Sequence, residues 1–121
     1  MFANFVHWQG DYEKALRVAQ KENKPLIVLF VKNDCAKCKS LVANLFTDKP
    51  YVDDINKHFI SVIITKDRKT NYPREMYYTN KYPTLYFMSN KEIPIVDSLK
   101  EDIKEADVKS ILDLILKKKI K

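Results

Sequence analysis

Residues 30–40 read FVKNDCAKCKS and contain the only two cysteines of the chain, Cys35 and Cys38. Residues 26–31, which lead into them, are all apolar, and such a run is typical of a strand that is covered on both faces. After the first cysteine, apolar side chains recur at the spacing of one helix face, namely Cys38, Leu41, Val42 and Leu45. The sequence therefore predicts that a buried strand passes into a helix at the cysteines.

The helical spacing also distinguishes the two thiols. Cys38 lies on the apolar face of the predicted helix, whereas Cys35 lies at the helix N-terminus and off that face. Unpaired N–H groups and the helix dipole favour a thiolate at such a position. We therefore expect an exposed, reactive Cys35 beside a sheltered Cys38, the arrangement that suits attack and resolution in disulfide exchange.

The composition is ordinary for a soluble globular protein. The chain has 121 residues, of which 45% are hydrophobic and 31% charged, enough for one domain with a substantial core. We expect a single domain over residues 1–121, with loose termini at residues 1–7 and 118–121. No apolar run approaches membrane-spanning length, and the first residues do not resemble a signal peptide. These features predict either a cytosolic protein or an exported one without its leader.

The net charge of +6 raises the question of a nucleic-acid partner. The lysines, however, are spread along the chain with acids between them, as on a solvated surface. The densest basic cluster ends the last predicted helix and comprises Lys117, Lys118, Lys119 and Lys121. Aromatic residues do not alternate with basic ones as they do in a stacking platform. We therefore expect no nucleic-acid partner.

The remaining pattern predicts alternating helices and strands. Helices are expected at residues 11–24, after Pro50, at residues 73–80 and along the apolar stripe formed by Val108, Ile111, Leu112, Ile115 and Leu116. Strands are expected at residues 26–31, 59–65, 84–88 and 93–98, the last two joined by a turn at residues 89–92. With Gly10 as the only glycine, left-handed turn positions should fall to Asn and Asp. The order predicts an α/β fold with a mixed sheet of about four strands, flanked by helices on both faces.

A cysteine pair at a strand–helix junction, followed later by Tyr82, Pro83 and Thr84 at the start of a strand, resembles the thioredoxin superfamily. The resemblance covers residues 8–116 in order and spacing. The segment 8–26, with Trp8, DYEKAL at 11–16 and NKPL at 23–26, is similar to small thioredoxin-like proteins that bacteria export. The CAKCK run and FTD at 46–48 resemble the soluble C-terminal domain of the transmembrane disulfide reductase DsbD.

The resemblance implies roles for the matching residues. Cys35 would attack a substrate disulfide, and Cys38 would resolve the mixed disulfide, leaving an oxidised Cys35–Cys38 pair as the only redox group. Pro83 would be a cis-proline beside the cysteines and, with Tyr82, would contact an extended substrate. No metal or further cofactor is implied, and two thiols supply too few ligands for zinc.

Two positions depart from the family pattern. Asp34 stands where many relatives carry tryptophan; its carboxylate opposes a thiolate at Cys35, whereas Lys37 and Lys39 favour one. Asp34 and Lys37 are therefore the residues expected to tune the site. Leu29 occupies the place where thioredoxins usually hold a buried acid that assists proton transfer to the resolving thiol. Either water or another acid should then serve, or turnover should be slower.

These features predict a monomeric thiol–disulfide oxidoreductase that acts on protein disulfides without stable membrane association. The resemblance favours a reductase or thiol relay, fed by an upstream thiol protein, in a bacterial periplasm, with the cytoplasm as the alternative. Two other functions stay open: a redox-inactive binding module with the same fold and, less favoured, a Cu(I) metallochaperone using both thiolates with Met76 or Met88. Exchange activity and stoichiometric metal binding distinguish the three.

Overall fold

The computed structural model describes residues 5–66 and 72–119. Over these residues the elements are β1 (Trp8–Gln9), α1 (Tyr12–Glu22), β2 (Leu26–Val31), α2 (Ala36–Leu45), α3 (Pro50–His58), β3 (Ile60–Thr65), β4 (Thr84–Met88), β5 (Leu99–Lys100) and α4 (Glu105–Lys119). The predicted strands at residues 26–31, 59–65 and 84–88 are confirmed to within one residue. None of the helices in the described ranges has both the length and the apolar character to cross a bilayer.

The strands form one mixed sheet in the order β1-β3-β2-β4-β5. Strand β3 runs parallel to both β1 and β2, while β4 runs antiparallel to both β2 and β5. The expected α/β class and mixed sheet are confirmed, with five strands rather than about four. The strand that the sequence did not reveal, β1, has only two residues, too few for a periodic signal; its Trp8 ring packs edge-on against Phe46.

The hairpin partner predicted at residues 93–98 is wrong in position. In that segment Pro94 forms an isolated bridge with Met88, and Ile95 donates its N–H to the carbonyl of Phe87. Proline has no N–H with which to continue a ladder, so regular pairing resumes only at β5. The expected turn at residues 89–92 is present, with the Glu92 N–H donating to the carbonyl of Ser89 at 3.0 Å.

The predicted helix at residues 73–80 is also wrong, because these residues form turns. The Thr79 hydroxyl accepts from the backbone N–H of Lys81 at 3.1 Å and lies 2.9 Å from the Thr84 hydroxyl, and such local bonds compete with a helix. The side chain of Tyr77 is also drawn into the interior, where its hydroxyl lies 2.7 Å from that of Tyr12. The other predicted helices are confirmed. Helix α1 begins at Tyr12, and the carboxylate of its N-cap residue Asp11 accepts the Lys14 N–H.

Left-handed backbone falls at Asn23, Asp34 and Asp48, as expected for a chain so poor in glycine, and also at Glu92 and Glu101. Residues 5–7, expected to belong to a loose terminus, are held in place: Phe5 bridges to Thr47, Val6 is buried, and the His7 N–H donates to Asn56 Oδ1. At the other terminus, expected to be loose over residues 118–121, residues 118 and 119 belong to α4. Residues 1–4 and 120–121 lie outside the described residues.

Helices cover both faces of the sheet and divide the core in two. On one face, which we call the cysteine face, helices α2, α3 and α4 pack on Ile27, Leu29 and Val31 of β2, and both cysteines belong to this cluster. On the opposite face, which we call the tyrosine face, α1 and Tyr77 pack on Leu26, Val28 and Phe30 of β2. The alternation along β2 therefore assigns neighbouring residues to different clusters.

Candidate active site

Cys35 and Cys38 are joined in a disulfide, with an Sγ–Sγ distance of 2.11 Å and Cα atoms 5.2 Å apart. Strand β2 ends at Val31, three exposed residues follow, and Cys35 is the N-cap of α2. The last of the three, Asp34, has a φ of 55°, a left-handed conformation that aspartate tolerates better than most residues. The pair therefore lies at a strand–helix junction, as predicted.

The expected contrast in exposure between the two thiols is wrong. Cys35 is 6% exposed and Cys38 is 4% exposed, and both pack in the cysteine face. Helical spacing does not apply to Cys35, because its backbone is extended and its side chain turns back over the first turn of α2. There its Sγ accepts the Cys38 N–H at 3.1 Å and bonds to the second sulfur. A partner thiol could therefore reach the pair only over a small area.

Pro83 lies at the end of the sheet from which the cysteine loop departs. In the antiparallel pair of β2 and β4, Phe30 lies opposite Thr84. Continuing this register by one residue on each strand places Pro83 level with Val31. The Tyr82–Pro83 peptide bond is cis. The Pro83 carbonyl accepts the Glu101 N–H at 2.7 Å, so one of its two lone pairs is already used within the protein.

Tyr82 is flanked by two cations. The ammonium nitrogens of Lys32 and Lys66 each lie 5.8 Å from the centre of its ring, within the range of a cation–π interaction. Sequence reasoning missed both lysines, although a signal was available. Lys32 directly follows β2 and Lys66 directly follows β3, and the carboxyl ends of these two paired parallel strands lie at the same end of the sheet. There the Lys66 N–H donates to the carbonyl of Val31.

The two residues expected to tune the site are placed differently. Asp34 is exposed in the loop directly before Cys35. Lys37, in the first turn of α2, forms an ion pair with Asp102, with 3.1 Å between Nζ and Oδ1. Because both partners are exposed, the pair adds little stability, but it neutralises part of the charge expected to favour a thiolate at Cys35.

The cysteine face lacks a buried acid over the part of the chain that the structure describes. Leu29 is fully buried, and the buried polar residues other than tyrosine and cysteine are Ser61 and Thr84. The hydroxyl of Thr84 donates to the Lys81 carbonyl at 2.6 Å, whereas Ser61 Oγ has no hydrogen-bond partner among the described residues. The site therefore offers no substitute carboxylate within its described core.

Nor do the described residues bring together three or more His, Cys, Asp or Glu side chains in a group that could hold a metal ion. Of the two methionines considered as soft ligands, Met88 is buried in the tyrosine face, across the sheet from the cysteines. Met76 lies exposed in the turns of residues 72–83. The structure thus separates Met88 from the thiolates that it would join in the metallochaperone alternative.

A family model described as Thioredoxin-like matches residues 7–90. The chain belongs to the thioredoxin-like family. No curated protein matches the sequence.

Solved structures of the same fold include three that cover most of this thioredoxin-like chain. The DsbH oxidoreductase has a TM-score of 0.73 at 18% identity, covering 93% of this chain and 85% of its own. A thioredoxin from Thermus thermophilus has a TM-score of 0.72 at 19% identity, covering 93% and 88%. The oxidised DsbD C-terminal domain of Neisseria meningitidis has a TM-score of 0.64 at 19% identity, covering 88% and 97%. The likeness to thioredoxins and to the DsbD domain is thereby confirmed at the level of the fold.

Proposed function

We propose that this protein is a thiol–disulfide oxidoreductase that exchanges its Cys35–Cys38 pair with disulfides of other proteins. The observation that supports this most directly is a disulfide at the first turn of α2, in a thioredoxin fold, whose Cys35 sulfur accepts the Cys38 N–H. The same N–H and the helix dipole stabilise negative charge on that sulfur once the pair is reduced. Cys35 is therefore assigned as the nucleophile.

The reaction proceeds in two steps. In the first, the Cys35 thiolate attacks one sulfur of the partner's disulfide; a Cys35–partner bond forms, and the other partner sulfur leaves as a thiolate that takes a proton. In the second, the Cys38 thiol loses its proton and attacks Cys35 Sγ. The Cys35–Cys38 bond forms, and the second partner sulfur leaves and is protonated. The partner gains two electrons and two protons, and a thiol donor protein returns the pair to the reduced state.

The direction and the compartment rest on resemblance. Similarity to small exported thioredoxin-like proteins and to the DsbD domain favours a reductase or thiol relay in the bacterial periplasm, with the cytoplasm as the alternative location. We propose that it acts as a monomeric single domain. Tyr82 and Pro83 are assigned to the substrate side of the site because they lie at the end of the sheet from which the cysteine loop departs.

One observation favours a second function, a redox-inactive binding module. Both cysteines are almost completely buried, as in a structural disulfide that no partner attacks. The reduction potential of the pair distinguishes the two functions and also tests the direction. It can be measured by equilibrating the protein first against glutathione and then against a dithiol buffer. A potential near about −270 mV supports a reductase or relay, and one near about −120 mV overturns that direction. A pair that cannot be cycled supports the binding module.

The roles of the two cysteines can be separated by single substitutions. Cys35→Ser should lower exchange with a protein disulfide to the uncatalysed rate, because the nucleophile is lost. Cys38→Ser should instead accumulate a mixed disulfide with the substrate, visible on a non-reducing gel, because resolution is lost. Exchange at the wild-type rate in both variants would contradict the two-cysteine mechanism.

A further inference from the structure

An open groove of about 520 Å³ lies beside Cys38, along the flank of α2. Its surface is almost entirely apolar, with contributions from Val31, Val42 and Ile63. Phe5 also lines the groove and is 57% exposed. A large exposed aromatic side chain beside an apolar depression is more typical of an interaction surface than of ordinary protein surface.

The charged residues that line this groove are all basic. Lys32 and Lys39 contribute to it, both are exposed, and no acidic residue is part of its lining. Within the described residues neither lysine forms an ion pair with a carboxylate. Lys66 adds a third cation nearby, because it and Lys32 both approach the ring of Tyr82. The groove therefore combines an apolar floor with a positive rim.

We propose that this groove binds an extended segment of the partner protein, in which an apolar side chain occupies the groove and neighbouring acidic residues pair with Lys32 and Lys39. This inference rests on the proposed function, since Cys38 lines the groove and a segment lying there would continue towards the disulfide that reacts with Cys35. The acidic residues of the segment and the lysines of the rim attract one another, and this attraction selects the partner and its orientation. Exposed charge pairs of this kind weaken as salt is added.

The open shape of the groove favours a peptide over a fatty acid. An acyl chain laid in an open groove would keep much of its apolar surface in water. An extended peptide needs to bury only the side chain that points inwards, while its backbone stays hydrated. An anionic amphiphile shares the same chemistry of an apolar body and a negative group, so it is the competing occupant that an experiment has to exclude.

The charge preference can be tested with three synthetic peptides that each carry one cysteine as a mixed disulfide with thionitrobenzoate. They differ only in flanking residues, which are Glu-Leu-Glu, Gln-Leu-Gln or Lys-Leu-Lys. Reduced protein should release thionitrobenzoate from the acidic peptide about tenfold faster than from the basic one in low salt, and the ratio should approach one near 0.5 M salt, where the Debye length is only a few ångströms. Equal rates for the three peptides in low salt would overturn the proposal.

The residues responsible can be identified by matched charge reversals. Lys32→Glu combined with Lys39→Glu should reverse the preference, so that the basic peptide reacts faster. Lys14→Glu combined with Lys109→Glu changes the net charge equally at exposed positions on α1 and α4 and should leave the preference unchanged. A control pair that alters the preference as strongly as the groove pair would mean that net charge, rather than the groove, discriminates between peptides.

Binding without chemistry keeps this inference separate from the proposed function. A Glu-Leu-Glu peptide with alanine in place of cysteine should shift the backbone amide signals of Val42, Thr47 and Ile63 in NMR spectra of the oxidised protein, and a Glu-Gly-Glu peptide should not. Ala43→Trp, at an exposed position that lines the groove, should abolish those shifts because the added ring fills the groove.

The outcomes are distinct. Amide shifts in a protein that exchanges no disulfide, not even hydroxyethyl disulfide, would refute the proposed function and support the groove. Exchange with hydroxyethyl disulfide but no amide shift with any peptide would overturn the groove. Shifts produced by decanoate and not by the peptide would overturn the peptide segment in favour of an anionic amphiphile.

Discussion

On the cysteine face of the sheet, helices α2, α3 and α4 cover β2, and the buried polar groups make few contacts with one another. The Tyr51 hydroxyl donates to the backbone carbonyl of Leu45, and Ser61, which pairs with Ile27 in the sheet, has no hydrogen-bond partner among the described residues. On the tyrosine face, by contrast, the Tyr12 hydroxyl joins that of Tyr77 at 2.7 Å and donates to Glu92 at 3.0 Å. The buried side-chain hydrogen-bond network and its acid thus lie across the sheet from the cysteines.

This difference bears on how protons would move in the proposed exchange reaction. Burial raises the pKa of Tyr77 to about 12 and that of Tyr12 well above its ordinary value, so both phenols stay protonated at neutral pH. On the cysteine face the described core contains no carboxylate, so in the proposed mechanism the proton lost from Cys38 passes to water or to the departing partner thiolate. The molecule therefore keeps its buried polar network away from the cysteines and leaves the described core around them without a carboxylate.

The largest expected effect comes from placing an acid on the cysteine face. Leu29→Asp should destabilise the protein by about 3–5 kcal/mol at pH 7, because no described partner there would compensate a buried charge. Leu29→Asn is the matched neutral control, and the free energy of unfolding can be measured for both by urea denaturation. A loss no greater than that of Leu29→Asn would show that the face does hold a partner for a carboxylate.

The cost of the introduced charge should depend on pH. Burial raises the pKa of the introduced carboxyl in the folded state, while in the unfolded state it ionises near its ordinary pKa of about 3.9. The stability of Leu29→Asp relative to Leu29→Asn should therefore fall as the pH rises from about 4 towards 7. If the difference in free energy of unfolding between the two variants stayed constant over this range, the destabilisation by Leu29→Asp would come from poorer packing rather than from its charge.

The tyrosine face should respond strongly to loss of a single hydroxyl. Tyr12→Phe leaves the buried Tyr77 hydroxyl without its partner and removes a donor to Glu92, so we expect a loss of about 1–3 kcal/mol in the free energy of unfolding. Tyr78→Phe, at a residue that is largely exposed, should change stability very little. Equal effects of the two substitutions would show that the buried network does not stabilise the fold.

Much of the fold could be predicted from local pattern. The apolar run of β2, the branched residues of β3 and the helix stripes were sufficient, because each element carries its own periodic signal. The failures have causes that are distant in sequence. Tyr77 belongs to a segment whose spacing suits a helix, yet its partners Tyr12 and Phe30 come from α1 and β2. No local pattern could reveal that packing.

The site was predictable to a similar extent. The position of the cysteine pair followed from the strand and helix that flank it, whereas the burial of Cys35 did not, because helical spacing says nothing about how an N-cap side chain turns. The salt bridge from Lys37 to Asp102 joins residues that are 65 positions apart in the sequence. Charge around the cysteines therefore depends on loops that the CxxC motif does not describe.

A smaller effect should appear at alkaline pH, where the tyrosine face loses its neutral phenols. Unfolded tyrosine ionises near pH 10, whereas the pKa of Tyr77 in the folded protein is about 12, so its contribution to stability is fully present below pH 10 and is lost as the pH rises towards 12. Each such group lowers the free energy of unfolding by at most about 1.4 kcal/mol per pH unit in that range. Denaturation curves at pH 9, 10 and 11 should show a shallower decline for Tyr77→Phe than for the wild type. Parallel declines in the two proteins would indicate that lysines and other phenols account for the whole loss.

The smallest expected effect on the free energy of unfolding is that of Ser61→Ala. Unlike the changes on the tyrosine face, it should not lower the stability of the protein. Because its buried hydroxyl has no partner among the described residues, Ser61→Ala removes an uncompensated polar group and should leave the free energy of unfolding unchanged or raise it by up to about 1 kcal/mol. Thr84→Val removes a hydroxyl of similar burial from the same sheet, but that hydroxyl is bonded to Thr79 and to the Lys81 carbonyl, so this change should cost about 1–2 kcal/mol. If Ser61→Ala proved as costly as Thr84→Val, Ser61 would have to bond an ordered water. Such a water would bring solvent into the core of the cysteine face, at the level of Ile27.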